Sequence, residues 1–218
     1  MDMETNLLIV GKGDDILTMI FDNLASNTIS AEVDVLNNLN LEILNKISHP
    51  SFNINMFTEL DVNQYPKFCL GVYNPSIKKT LVNRYNLDIN KATNVIHSTL
   101  SKSDTVILGR GILINSLVSI AAHTIIGNYV TINRNVSIGH HTTIENYTSI
   151  NPGVNIAGNV IVGEGTTIGM GANIIDGVKI GKNSIIGAGS VVTKDIPDNV
   201  IAYGNPCKII RDNETQSI

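Results

Sequence analysis

Hydrophobic positions in the second half of the chain recur every six residues. Stepping from Leu108, the positions are Ile114, Ile120, Ile126, Ile132, Ile138, Ile144, Ile150, Ile156, Val162, Ile168, Ile174, Ile180, Ile186 and Val192, all branched aliphatics without a slip in register. From Ile114 to Ile186, a smaller side chain stands four residues after each aliphatic, as at Val130, Thr142, Val154, Thr166, Ala172 and Ser184. Glycine often follows the aliphatic directly, as at Gly109, Gly127, Gly139, Gly163, Gly169, Gly181 and Gly187. A helix turns about 600° in six residues, so such aliphatics would drift around it. Hairpin-linked strands would alternate with period two and need a turn signal at every reversal. Short strands joined by tight corners fit the period, with the aliphatic inward, the small residue beside it, and glycine or a polar residue at the corner. The pattern predicts a parallel β-helix.

Before about residue 95 the repeat is absent. Leu7–Val10 reads as a buried strand followed by Gly11-Lys12-Gly13, and residues 14–25 carry apolar side chains at helical spacing. Ala31–Leu36 and Lys67–Val72 read as further strands, and Asn74–Asn83 as a helix with Pro75 in its first turn. Strand, glycine turn, helix, strand is half of a Rossmann-like unit. Its dinucleotide fingerprint is incomplete, because Ile16 stands where the third glycine would be. The turn reads equally as a nucleotide-binding loop and as a tight connection.

Composition narrows the function classes. The chain has 218 residues, 43% hydrophobic and 16% charged, with a net charge of −4. That charge excludes the basic field a nucleic-acid surface needs. Cys69 and Cys207 lie in different halves without metal-ligand spacing, which points to two reduced thiols. The first residues lack the basic region of a signal peptide, and the apolar run Leu7–Val10 is too short to cross a bilayer. The expectation is a cytoplasmic protein without a membrane partner.

Four motifs carry a family resemblance: Gly71-Val-Tyr-Asn74 with Lys78-Lys79; Ile96-His97 with Leu108-Gly-Arg-Gly111; Ser137-Ile-Gly-His140 through Pro152-Gly153 and Ala157-Gly-Asn-Val160; and Gly187 to Lys194 through Gly204-Asn-Pro206. With them the chain resembles the hexapeptide-repeat sugar acetyltransferases of the sialic-acid O-acetyltransferase and UDP-bacillosamine or GDP-perosamine N-acetyltransferase type. The resemblance implies a small Rossmann-like substrate domain over residues 1–95. Residues 96–218 would then be a left-handed β-helix acyltransferase domain with a C-terminal tail, in coils of three hexapeptides. It also implies a homotrimer with shared active sites, acetyl-CoA as co-substrate, no metal, and a role in bacterial surface glycan synthesis.

Acetyl transfer needs a base for the acceptor's proton and a donor for the oxyanion. Adding one coil of 18 residues to His140 gives Gly158, so the two should sit in adjacent coils about 4.8 Å apart, an imidazole beside an unobstructed backbone N–H. The resemblance places the base and the thioester-facing glycine at these same positions. The family carries Asp or Glu directly after its catalytic histidine, where this chain has His141; Glu145 or Asp176 is then the candidate carboxylate. The implied catalytic set is His140, His141 and Gly158. By the same carry-over Ser149, Gly158, Met170 and Ala188 line the pantetheine groove, and Lys208, ahead of Lys194 and Arg211, meets the 3′-phosphate. Gly11, Lys12, Gly13, Asp34, Gly71 and Asn74 are the substrate-binding candidates. The acceptor expected is a nucleotide-linked amino sugar, the alternative being O-acetylation of sialic acid or a related sugar.

Two other classes compete. His123 is one coil below His141, and such a pair completed by a third histidine across a subunit interface would bind zinc, as in carbonic anhydrases of this fold. Those enzymes carry a histidine pair five residues apart, which this chain lacks. The threonines Thr142-Thr143 and Thr166-Thr167 resemble ice-binding ladders but do not recur on every coil of a face. His49 and His97 lie outside the regular coils and read as surface or structural residues.

Overall fold

The computed structural model describes residues 7–11, 13–27, 31–37 and 49–214. From Val95 onward the chain winds as a parallel β-solenoid whose two-residue strands stack into three faces. The first face has five strands, from Ile107–Leu108 to Lys179–Ile180; the third has six, from Ser101–Lys102 to Val191–Val192. The second begins at Val95–Ile96 and ends in an antiparallel pair, Val200–Tyr203 with Lys208–Asp212. Register partners lie one coil apart, as Ser137 pairs with Asn155 and Ile138 with Ile156. The aliphatic at each strand end points inward, and Ile132, Ile144, Ile168 and Ile186 are fully buried. Burying such a side chain contributes about 1.5–3 kcal/mol.

The small residue four places on does more than fill space. Thr124, Thr142, Thr166 and Ser184 are buried, and their hydroxyls donate to corner carbonyls of the next coil, at Gly139, Ala157, Gly181 and Pro197. A buried hydroxyl needs such a partner. The glycine after the aliphatic also has a different reason from the one expected. A Cβ on Gly139 would lie 2.4 Å from the carbonyl carbon of Ala157, so glycine there admits the backbone of the next coil. The left-handed conformation falls two positions later, at His123, His141, Asn159 and Gly177 along one corner, with φ of 60°, 55°, 57° and 74°.

The N-terminal residues form a four-stranded parallel sheet in the order β3 (Phe52–Phe57), β2 (Ala31–Leu36), β1 (Leu7–Val10), β4 (Lys67–Leu70). Helix α1 (Asp14–Ser26) follows β1, and α2 (Pro75–Arg84) follows β4. This unit rests on the second face of the solenoid. Asn23, fully buried on α1, donates to the Ile114 carbonyl at 2.8 Å. Lys78 of α2, 1% exposed, donates from Nζ to Tyr129 O and to Ser149 Oγ, each at 3.0 Å.

Candidate active site

The corner joining the third face to the first brings His140, His141 and Gly158 together. Gly158 is buried, and a Cβ built on it would lie 2.6 Å from His140 Cε1 and 2.8 Å from His140 Nε2. The imidazole therefore lies directly over the Gly158 Cα, which only glycine permits. Asn159 N donates to His140 O at 2.8 Å, locking the two coils together at this corner. Among the described residues the Gly158 N–H makes no hydrogen bond. At the corner joining the first face to the second, the corresponding N–H of Arg110 is capped by Asn128 Oδ1 at 2.8 Å and that of Asn128 by Asn146 Oδ1 at 2.7 Å. The donor left uncapped at Gly158 is the feature an oxyanion site requires.

His140 Nδ1 lies 3.1 Å from His141 Nδ1, with the rings edge to face at 84°. Two imidazole nitrogens at that distance share one proton, so one Nδ1 donates and the other accepts. His141 also stacks on His123, with ring centroids 4.8 Å apart. Of the two carboxylates considered, Asp176 is the one at this corner. Its Oδ1 lies 2.9 Å from the same notional Gly158 Cβ and accepts from Asn159 Nδ2 at 3.2 Å. Glu145 stands at the next corner, where it accepts from Glu164 N at 3.0 Å. Among the described residues no group of three or more His, Cys, Asp or Glu is placed to hold a metal. His49 packs against Phe21 and Phe52, and His97 Nδ1 pairs with Thr99 Oγ1 at 2.9 Å, both away from this corner.

The expected coenzyme residues divide. Met170 and Ala188 are exposed and stack in adjacent coils at the corner joining the second face to the third, where Gly189 N donates to Met170 O. Lys208 is exposed at the C-terminal end of the second face, paired in register with Tyr203, against which Gly187 packs. Ser149 corrects the expectation. It is 3% exposed beneath the N-terminal unit, donating to Tyr73 O at 2.6 Å and accepting from Lys78, so it lines no groove.

Of the expected substrate residues, Gly11, Gly13, Gly71 and Asn74 follow the carboxyl ends of β1 and β4, and Asp34 lies within β2. Gly11 donates to Leu36 O, and Gly13 to Gly71 O, both at 3.0 Å; Lys12 lies outside the described residues. A Cβ on Gly71 would lie 2.4 Å from Gly11 O, so that glycine permits the close approach of two loops. Asp34 accepts from Tyr65 OH and Asn55 Nδ2, and burial, reinforced by the hydrogen bond to Asp34 and its charge, pushes the Tyr65 phenol up to about 12. Asn74 caps α2, accepting from Ser76 N and Ile77 N.

A second concavity went unread in the sequence. A cleft of about 610 Å³ opens between α1 and the second-to-third corner. Asp15 and Asp22 line one wall, Arg134 and Asn151 the other, with Tyr73 and the buried Asn133 at its floor. The readable signal was Asn115, Asn133 and Asn151 at one-coil spacing.

Comparison with known proteins agrees with this architecture. Residues 141–176 and 159–194 match the bacterial transferase hexapeptide (six repeats) family. Among curated proteins nothing matches significantly. A perosamine N-acetyltransferase from Caulobacter crescentus, solved with CoA and GDP-perosamine, superposes with a TM-score of 0.81 at 23% identity, over 97% of this chain and all of that one. The acetyltransferase domain of PglB from Neisseria gonorrhoeae, solved with acetyl coenzyme A, gives 0.82 at 22%, over 95% of this chain and all of that one. WeeI from Acinetobacter baumannii gives 0.73 at 20%, over 93% and 100%. These likenesses establish the fold over nearly the whole chain.

Proposed function

We propose that this chain is an acetyl-CoA-dependent acetyltransferase acting on a nucleotide-linked amino sugar. The observation that carries the reading is the His140 ring lying over Gly158, whose N–H has no partner among the described residues. A base and an oxyanion donor within one corner are what acyl transfer to an amine demands. The structural neighbours solved with CoA and GDP-perosamine support the same chemistry.

In this reading His140 is a base through Nε2, so its own proton sits on Nδ1 and is donated to His141 Nδ1. The acceptor arrives as an ammonium and loses one proton to solvent. The amine nitrogen then attacks the thioester carbonyl carbon, and His140 Nε2 takes one of the two protons on the nitrogen of the tetrahedral adduct, the other staying on the amide. Gly158 N–H holds the oxyanion. The C–S bond breaks, and His140 returns the proton to the thiolate, leaving an amide and a free thiol.

Met170 and Ala188 stand at the other edge of the third face from His140 and Gly158. A homotrimer with its third faces toward the axis would bring one subunit's second-to-third edge against the next subunit's third-to-first edge. The outward residues of the third face, Ser119, Ser137, Asn155 and Asn173, are small and polar, suited to close approach. The left-handed coil expected from the resemblance belongs to the same reading, as does a nucleotide held at the turn through Gly11 and Gly13. There α1 begins with no side-chain cap, leaving first-turn N–H groups for an anion. The test is thiol release from acetyl-CoA with UDP-, GDP- and dTDP-linked amino sugars and free sialic acid. Release with an amino sugar is expected; release with sialic acid alone would make the enzyme an O-acetyltransferase, and release with none would end the reading.

A further inference from the structure

The residue beside the proposed base is a second imidazole, and the corner brings two metal-ligating nitrogens together. His140 Nδ1 and His141 Nδ1 lie 3.1 Å apart on two exposed side chains. Metal–imidazole bonds of about 2.0–2.1 Å, meeting at about 90–109°, put their two nitrogens about 2.8–3.4 Å apart. The observed separation falls inside that range. A chelated ion sits off the line between the two nitrogens. Reaching it asks each ring for a turn of about 40° about χ2, a broad and soft torsion in histidine. The backbone holds the pair in place. His141 sits in the left-handed corner at φ 55° with its N–H donating to Ala122 O at 2.9 Å, and His140 O accepts from Asn159 N at 2.8 Å. The bite is therefore prearranged and need not be assembled by the ion. Among the described residues no group of three or more His, Cys, Asp or Glu is placed around one ion, which leaves the remaining coordination positions to water.

An ion in that bite would act on the one atom the reaction needs. Neutral His140 and His141 carry one ring proton each. In the proposed mechanism His140 keeps its proton on Nδ1 and leaves Nε2 free. An ion that takes both Nδ1 lone pairs moves that proton to Nε2, and His141 holds its own on Nε2 already. No proton is gained or lost, yet His140 Nε2 changes from acceptor to donor. The base is disabled without any contact between the ion and either substrate.

We propose that His140 and His141 chelate a divalent transition ion of the nickel, copper or zinc class, and that this ion inhibits the enzyme reversibly. The site stands on the geometry of the pair; its effect on turnover rests on the acetyltransferase reading. Calorimetry on the tag-free chain should show one Ni²⁺ or Zn²⁺ bound per chain, Cu²⁺ tighter than Ni²⁺, Ni²⁺ tighter than Mn²⁺, and no binding of Mg²⁺. Removing one of the two tethered ligands, in His140→Ala or His141→Asn, should weaken Ni²⁺ by about 10²-fold. His123→Asn, which keeps both ligands, should bind Ni²⁺ as the parent does. Electron paramagnetic resonance of the Cu²⁺ form should show two imidazole nitrogens in the parent and one in either single variant. Acetylated product, followed by mass spectrometry, should fall as Ni²⁺ fills the site and return with EDTA. His141→Asn should need about 10²-fold more Ni²⁺ for the same loss. A parent that binds no Ni²⁺, or a His140→Ala or His141→Asn that binds it as the parent does, overturns the site. Full turnover with the site filled overturns the inhibition. A parent forming no product with any acceptor defeats the acetyltransferase reading instead, and the binding comparison then decides the site alone.

Discussion

His140 and His141 face each other through Nδ1 at 3.1 Å, consecutive residues whose rings meet edge to face. His141 can take this position because it occupies the left-handed corner, at φ 55°. That turn swings its side chain back toward its neighbour. With an imidazole in place of a carboxylate, the partner that fixes the tautomer of His140 adds no negative charge to stabilise the imidazolium.

Replacing His140 with Ala should lower kcat by about 10²–10⁴, the usual contribution of a general base, with the melting temperature and oligomeric state retained. Replacing His141 with Asn should cost less, since asparagine accepts the left-handed φ and offers an oxygen to Nδ1. Steady-state kinetics on both variants check this ordering. An inactive His141→Asn beside an active His140→Ala would reverse the two roles.

Gly158→Ala tests the same corner from the other coil. The added methyl would meet His140 at 2.6 Å and Asp176 at 2.9 Å, so the imidazole must swing away. His140 is exposed, so its ring can swing out without unfolding the coil. We expect a fall in kcat of at least tenfold, with thermal stability within about 1 kcal/mol of the parent. Activity equal to the parent's would show that the ring over Gly158 is not the working arrangement.

The solenoid was legible because one period fixed its register: from Leu108 to Val192 every sixth residue is aliphatic. His140 and Gly158 followed by adding one coil. What the period hid was which face would be covered. Ser149, Thr131 and Leu113 alternate with core residues just as Ser137 and Asn155 do, yet the first three are buried under α1 and α2. Nothing local marks the docking of one unit on another, so the groove position that the resemblance implies at Ser149 proves to be junction. The carboxylates Asp15 and Asp22 were hidden for the same reason: on a lone amphipathic helix they are a solvated face, and only the docking of α1 makes them one wall of a cleft.

That junction has a pH dependence of its own. Burial lowers the Lys78 amine from its ordinary value of 10.5 to about 7. Its Nζ donates to Tyr129 O and Ser149 Oγ at 3.0 Å, with Thr148 O at 3.5 Å. Between about pH 7 and 10.5 the unfolded chain holds a proton on Lys78 that the folded protein does not. Stability from this residue therefore rises with pH across that window, by up to about 1.4 kcal/mol per unit, and is flat below it. In Lys78→Met this component should vanish. Denaturant melts from about pH 7 to 10 should show the parent gaining on the variant. Parallel curves would mean that Lys78 stays charged in the fold.

The last prediction concerns the edge occupied by Met170 and Ala188. Both stand exposed in adjacent coils, with Gly171 and Gly189 beyond them in the left-handed conformation and open space where a Cβ would be. An extended pantetheine arm would pack on backbone along such an edge, so side-chain volume there obstructs it directly. Ala188→Leu adds that volume outside the core, where it should cost the fold less than about 0.5 kcal/mol. KM for acetyl-CoA should rise at least tenfold while binding of the acceptor sugar, followed by calorimetry, is unchanged. Lys208, exposed on the same end of the solenoid through its pairing with Tyr203, gives an independent reading of direction. Lys208→Ala should weaken acetyl-CoA more than 3′-dephospho-acetyl-CoA, because only the former carries the phosphate that the ammonium would meet. If Ala188→Leu and Lys208→Ala both bind acetyl-CoA as the parent does, the coenzyme lies on another edge, and the composite site built from the two borders of the third face falls with it.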